Sequence, residues 1–170
     1  MPLLNYTTQI SVEKTIGEIE KMLSQSGAEK IMKEYDKEGN CESIAFIIAT
    51  EKGKIPFKLP MNLKAVMQTI NNQTGEFKNT KYGKTRLIPQ KFYNDFEQSA
   101  RVGWRIIRDW LEAQLALYFL QMVKVEEIFL PYMYSEKLGK TMFQIMEEKG
   151  FNNLQLENKG DDLNEHRRNV

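Results

Sequence analysis

The stretch from Gln90 to about Val123 constrains this chain more than any other. Its apolar residues recur at helical spacing, first on one face and then nearly all round, at Leu115, Ala116, Leu117, Tyr118, Phe119 and Leu120. A helix that is apolar on every side belongs at the centre of a core. At about 1.5 Å per residue, a straight helix of that length would outreach the one compact domain that 170 residues suggest. A bend or break is therefore expected near Ser99 to Gly103.

Residues 12–70 read as a small α+β unit. Tyr6 to Ile10 is rich in β-favouring residues, and Ser11 then stands where a helix cap belongs. Val12, Ile16, Ile19, Met22 and Leu23 share a helical face, and Gly27 is placed where such a helix stops. Three extended runs follow, at 30–35, 43–50 and 55–59. Ile44, Phe46 and Ile48 alternate in the second, and Ile55, Phe57 and Leu59 in the third. The turn residues between them predict an antiparallel meander with one buried face. Pro56 cannot donate to a ladder, so the third run is expected at an edge. A helix is expected from Leu63 to Ile70, a long mobile basic loop over 71–89, and a helical part over 90–156. That part includes a short helix or turn at Val125 to Tyr134 and a last helix at Lys140 to Lys149. The polar residues 157–170 read as a flexible tail. The fold class predicted is α+β: an antiparallel sheet of three or four strands covered by a long central helix and shorter helices.

Composition excludes several functions. Hydrophobic residues are 41% and charged residues 28%, which suits a folded chain and not a disordered one. One cysteine, Cys41, and one histidine, His166, exclude a disulfide framework and any cysteine- or histidine-rich zinc site. No apolar run is long enough to span a bilayer. The net charge of +1 makes no global case for a polyanionic partner, but its distribution is uneven. Residues 1–75 are neutral, 76–110 carry +4 and 111–170 carry −3.

Catalytic motifs are missing. Gly83-Lys84-Thr85 and Gly139-Lys140-Thr141 resemble the end of a phosphate-binding loop, but Lys78 and Tyr134 stand where its first glycine is required. The adjacent carboxylates Glu126-Glu127, Glu147-Glu148 and Asp161-Asp162 diverge on a helix and do not converge on a metal or a substrate atom. The expectation is no catalytic residue, no metal and no cofactor.

Two features point to an anion. Lys78, Lys81, Lys84, Arg86 and Lys91 are interleaved with Phe77 and Tyr82, and no acid occurs between Glu76 and Asp95. Cations with stacking aromatics suit single-stranded nucleic acid or a compact phosphodiester. Arg101, Arg105 and Arg108 share one helical face, and their planar donor forks suit phosphate or carboxylate. The bland reading pairs Arg105 with Asp109 and Arg108 with Glu112, each one turn on. Arg101 has no carboxylate at that position and is the expected anion ligand. The candidate binding residues are Lys78, Lys81, Tyr82, Lys84, Arg86, Arg101 and Arg105.

The segment Thr15 to Pro60, with Gly27-Ala28, Lys33-Glu34-Tyr35-Asp36 and Phe57-Lys58-Leu59-Pro60, resembles small proteins carried by bacteriophages and prophages. Arg101 to Gln114 and Phe129-Leu130-Pro131-Tyr132 extend the resemblance over most of the chain. It implies a viral setting, hence a host cytoplasm, and brings no chemistry with it. The helix, meander, helix order of 12–70 also looks like a double-stranded-RNA-binding domain, with the single Lys64 where that family has a lysine-rich helix start. The reading drawn from all this is a non-enzymatic phage protein holding an anionic nucleotide-type ligand, acting by sequestering a host defence signalling nucleotide. Two alternatives stay open: a nucleic-acid-binding module of phage replication or recombination, and an inhibitor that occludes a host protein. No membrane partner is expected, and homo-oligomerisation is left open.

Overall fold

A computed structural model describes residues 1–51 and 53–151. The expected tail over 157–170, His166 included, lies outside the described residues.

Helix α1 (Val12–Gln25) begins where Ser11 Oγ accepts the Lys14 amide, and the chain leaves it through Gly27 at a φ of 90°. Ile16, Ile19 and Leu23 turn its apolar face inward. Strands β1 (Ala28–Tyr35), β2 (Cys41–Thr50) and β3 (Gly53–Lys58) form an antiparallel sheet in that order. The β1–β2 turn is tied by Asp36 Oδ1, which accepts the amides of Glu38 (2.9 Å) and Asn40 (2.8 Å). Ile31, Phe46 and Phe57 are cross-strand neighbours, and Pro56 lies on the edge strand opposite Ile47.

Helix α2 (Leu63–Gly75) is capped by Asn62 and runs a full turn beyond the end its apolar spacing predicts. Residues 71–89 are not a long loop. The chain leaves α2 into a two-stranded ribbon, β4 (Phe77–Thr80) paired antiparallel with β5 (Gly83–Arg86). The strands bury no residue, so the apolar alternation that announces a strand is missing.

A 3₁₀ turn, Gln90–Phe92, precedes helix α3 (Phe96–Phe119), which runs unbroken through Ser99 and Gly103. The expected interruption falls earlier, at Asn94 with φ 55° and at Asp95, whose side chain caps the helix by accepting the Gln98 amide. Gly103 marks a close approach instead of a bend: a Cβ there would lie 2.6 Å from Met61 Cε and 3.2 Å from Val66 Cγ2. Burial along α3 stops at Leu115, while Phe119 is 58% and Leu120 69% exposed, so the end expected to be most buried is the more open one. Helix α4 (Val125–Phe129), the short ribbon β6 (Tyr134–Ser135) with β7 (Lys140–Thr141), and α5 (Met142–Glu148) complete the described chain.

The fold is therefore α+β, with a three-stranded antiparallel sheet and a long central helix. The main core gathers Ile19 and Leu23 of α1, Phe46 and Phe57 of the sheet, Trp104 and Leu111 of α3, and Phe129. A second cluster joins Ile70 of α2, Ile88, Phe92 and Val102 of α3. Tyr6 to Ile10 forms no strand; Tyr6 packs against Phe92 and its carbonyl accepts from the buried Gln98 side chain at 2.8 Å. No helix among the described residues is long and apolar enough to cross a membrane.

Candidate functional site

The ribbon is anchored at its base and free beyond it. Ile88, just past β5, is fully buried in the second cluster, and the Leu87 amide donates to the Glu76 carbonyl at 3.0 Å. Arg86 secures the same end, donating to the Thr74 carbonyl and lying 4.7 Å from the centre of the Phe77 ring. Every residue from Gly75 to Arg86 is exposed. Because side chains alternate across a ribbon, Lys78 and Lys84 leave it on opposite faces, while Lys81 and Tyr82 form the tip. Lys78, Lys81 and Lys84 have no carboxylate partner among the described residues.

The arginine stripe is built differently. Arg105 donates to Glu18 of α1 at 2.7 Å and lies 3.6 Å from Asp109. Arg108 reaches Glu18 at 3.0 Å, Asp109 at 3.2 Å, and Glu112. Arg101 is not without a local partner as its forward spacing suggests. It pairs backward with Glu97, one turn earlier, and its Nε donates to Gln98 Oε1 at 2.9 Å. The stripe thus locks α3 to α1 and to its own first turns. Gln98 is the residue that spacing alone does not reveal: nearly inaccessible, it holds the Tyr6 and Thr8 carbonyls with its amide and Arg101 with its oxygen.

Arg101 does line a cleft. Two adjoining cavities of about 310 and 410 Å³ open between the β1–β2 turn and the starts of α1, α2 and α3, sharing Asn40, Cys41, Leu63 and Phe96. Carboxylates outnumber cations in both: Glu13, Glu20 and Glu97 against Lys33 and Arg101 in one, and Glu34, Asp36 and Glu42 against Lys58 and Lys64 in the other. The cations are largely paired, Lys33 with Glu20 at 2.7 Å and Lys58 with Glu34 at 2.8 Å. No ribbon residue lines the cavity beside Arg101. Arg101 and Arg105 make their hydrogen bonds and ion pairs with Glu97, Gln98, Glu18 and Asp109, none of them in the ribbon, so Lys78, Lys81, Tyr82, Lys84 and Arg86 share no contact with them among these interactions. Burial pushes the Cys41 thiol above its ordinary pKa, which disfavours the nucleophilic thiolate. Among the described residues no group of three His, Cys, Asp or Glu side chains is placed to hold a metal ion.

Of the two phosphate-loop fragments, Gly83-Lys84-Thr85 is strand β5, and Gly139-Lys140-Thr141 leads into α5, where Thr141 is the cap. The amides of Gly139 and Thr141 donate to the Ser135 carbonyl and the Gln144 side chain, and residues 83–86 lie in the β4–β5 ladder, so neither segment is a glycine-rich phosphate loop. No protein-family model matches this chain, and neither a curated protein nor a solved structure shows significant similarity to it.

Proposed function

We infer that this protein is a nucleic-acid-binding module whose β4–β5 ribbon holds the phosphate backbone of a polynucleotide. The observation that carries this reading is the contrast between two sets of cations. The arginines of α3 are spent on carboxylates, whereas Lys78, Lys81 and Lys84 stand free of them on an exposed ribbon. Cations on both faces and at the tip can follow a chain of phosphates, and each contact releases condensed counterions. A ribbon with no wall around it encloses no small ligand, so the geometry supports a strand better than a mononucleotide. The reading needs no catalytic step, and a viral setting of replication or recombination goes with the resemblance to phage proteins.

The experiment is binding of a fluorescein-labelled oligonucleotide at low salt by the protein and by a variant with Lys78, Lys81 and Lys84 all changed to Gln. These side chains are exposed, so the fold is retained, which circular dichroism checks. Loss of binding supports the reading, and undiminished binding sinks it. The cavity beside Arg101 does not favour the nucleotide-sequestering reading, because its lining carries more carboxylates than cations and Arg101 is already paired with Glu97. Calorimetric titration of a cyclic dinucleotide into wild type and Arg101→Ala, expected to show no binding, checks this.

A further inference from the structure

We propose that the ribbon's ligand is an unpaired strand, recognised by stacking of a base on Tyr82. This rests on the reading of the ribbon as a polynucleotide site and adds the class of strand it takes.

Tyr82 is 92% exposed at the tip, and neither burial nor turn chemistry accounts for it there. Gly83 takes the positive φ of 109° that closes this hairpin, so the two central positions accept most residues and the turn itself demands no aromatic at 82. The tip is also fixed. The Thr80 hydroxyl donates to the Gly83 carbonyl at 2.7 Å and accepts the Tyr82 amide at 3.3 Å, so the ring is displayed by a tied turn. The ribbon's other aromatic, Phe77, sits at the anchored base, 55% exposed, with the Arg86 guanidinium 4.7 Å from its ring centre. The Lys81 ammonium lies 6.0 Å from the Tyr82 ring centre.

A duplex offers this ring nothing until a pair is opened, because its bases are already stacked on both faces, and opening is unfavourable. An unpaired base has a free face, and stacking on an aromatic side chain is tolerant of sequence. Lys81 beside the ring and Lys84 two residues on can hold the flanking phosphates while the base stacks. The chemistry is shared by single-stranded DNA and RNA.

The test is fluorescence anisotropy with labelled single-stranded DNA, single-stranded RNA and a blunt duplex of the same sequence, using wild type, Tyr82→Ala, Tyr82→Trp and Lys84→Glu. Tyr82→Ala is expected to bind at least one single strand about tenfold or more weakly and the duplex unchanged, and Tyr82→Trp to restore the single-strand affinity. If Tyr82→Ala equals wild type on both single strands while Lys84→Glu loses affinity for all three ligands, the ribbon is purely electrostatic. Stacking is then overturned and the polynucleotide reading survives. If wild type binds none of the three at low salt, both fall.

Discussion

Glu18 on α1 accepts a 2.7 Å hydrogen bond from Arg105 on α3, across 87 residues of sequence. The same carboxylate oxygen accepts from Arg108, so one acid holds two arginines at the seam between the two helices that cover the sheet. The guanidinium side chains are 18% exposed and Glu18 31%, an environment where pairing matters more than on the open surface. Glu18→Ala leaves both without their cross-helix partner and should lower stability by about 1–2 kcal/mol, at or just below the low end of the range of about 1.5–3 kcal/mol for charged hydrogen bonds, since water still reaches the pair. A urea titration measures it. An unchanged midpoint would show that Asp109 and Glu112 suffice.

At Gly103, α3 runs close against Met61 and Val66. Gly103→Leu should overpack this seam and cost about 1–3 kcal/mol. Gly103→Ala should fall within about 1 kcal/mol of wild type, because the helical gain of alanine offsets the shift forced on the flexible end of Met61. A Leu variant as stable as wild type would mean that the helices can part without penalty.

Lys58, at 2.8 Å, and then Ser43 hold the Glu34 carboxyl below its ordinary value of 4.5. A group whose folded pKa is depressed stabilises the fold above its unfolded pKa and loses that contribution as pH falls through the folded value. The urea midpoint should therefore begin to drop below about 4.5, and Glu34→Gln should show a smaller drop. Asp36, held low chiefly by Asn40, acts in the same direction. Identical acid profiles for wild type and Glu34→Gln would remove Glu34 from the account.

Cys41 is 8% exposed and its thiol is held protonated by burial. Alkylation at neutral pH should be slow in the folded protein and should accelerate as urea unfolds it, with the two transitions coinciding. Reaction of the folded protein at the rate of a free thiol would mean that the cleft floor opens.

Where burial writes a period into the chain, structure was readable: the alternation of Ile44, Phe46 and Ile48 marks β2, and Ser11 marks the start of α1. The β4–β5 ribbon was not readable as strands, because its hydrogen-bonded ladder buries nothing and so leaves no apolar trace. Its cations were legible as a local charge excess, and their separation from the arginine stripe was not. Forward spacing pairs Arg105 with Asp109 correctly, yet the stronger partner, Glu18, comes from another helix, and the partner of Arg101 lies one turn behind it. Gly103 reads as a helix breaker in one dimension and is a packing contact in three.

The most direct test of the central claim, that the ribbon and not the arginine stripe meets the phosphates, is the salt dependence of oligonucleotide affinity. Three lysine contacts to a single strand predict a slope of log K against log salt of about −2, and Lys84→Gln should make it shallower by about 0.7. Arg101→Ala, whose guanidinium is engaged with Glu97 and Gln98, should leave the slope unchanged. A slope that flattens in Arg101→Ala and stays the same in Lys84→Gln would place the phosphates on α3 and contradict the account.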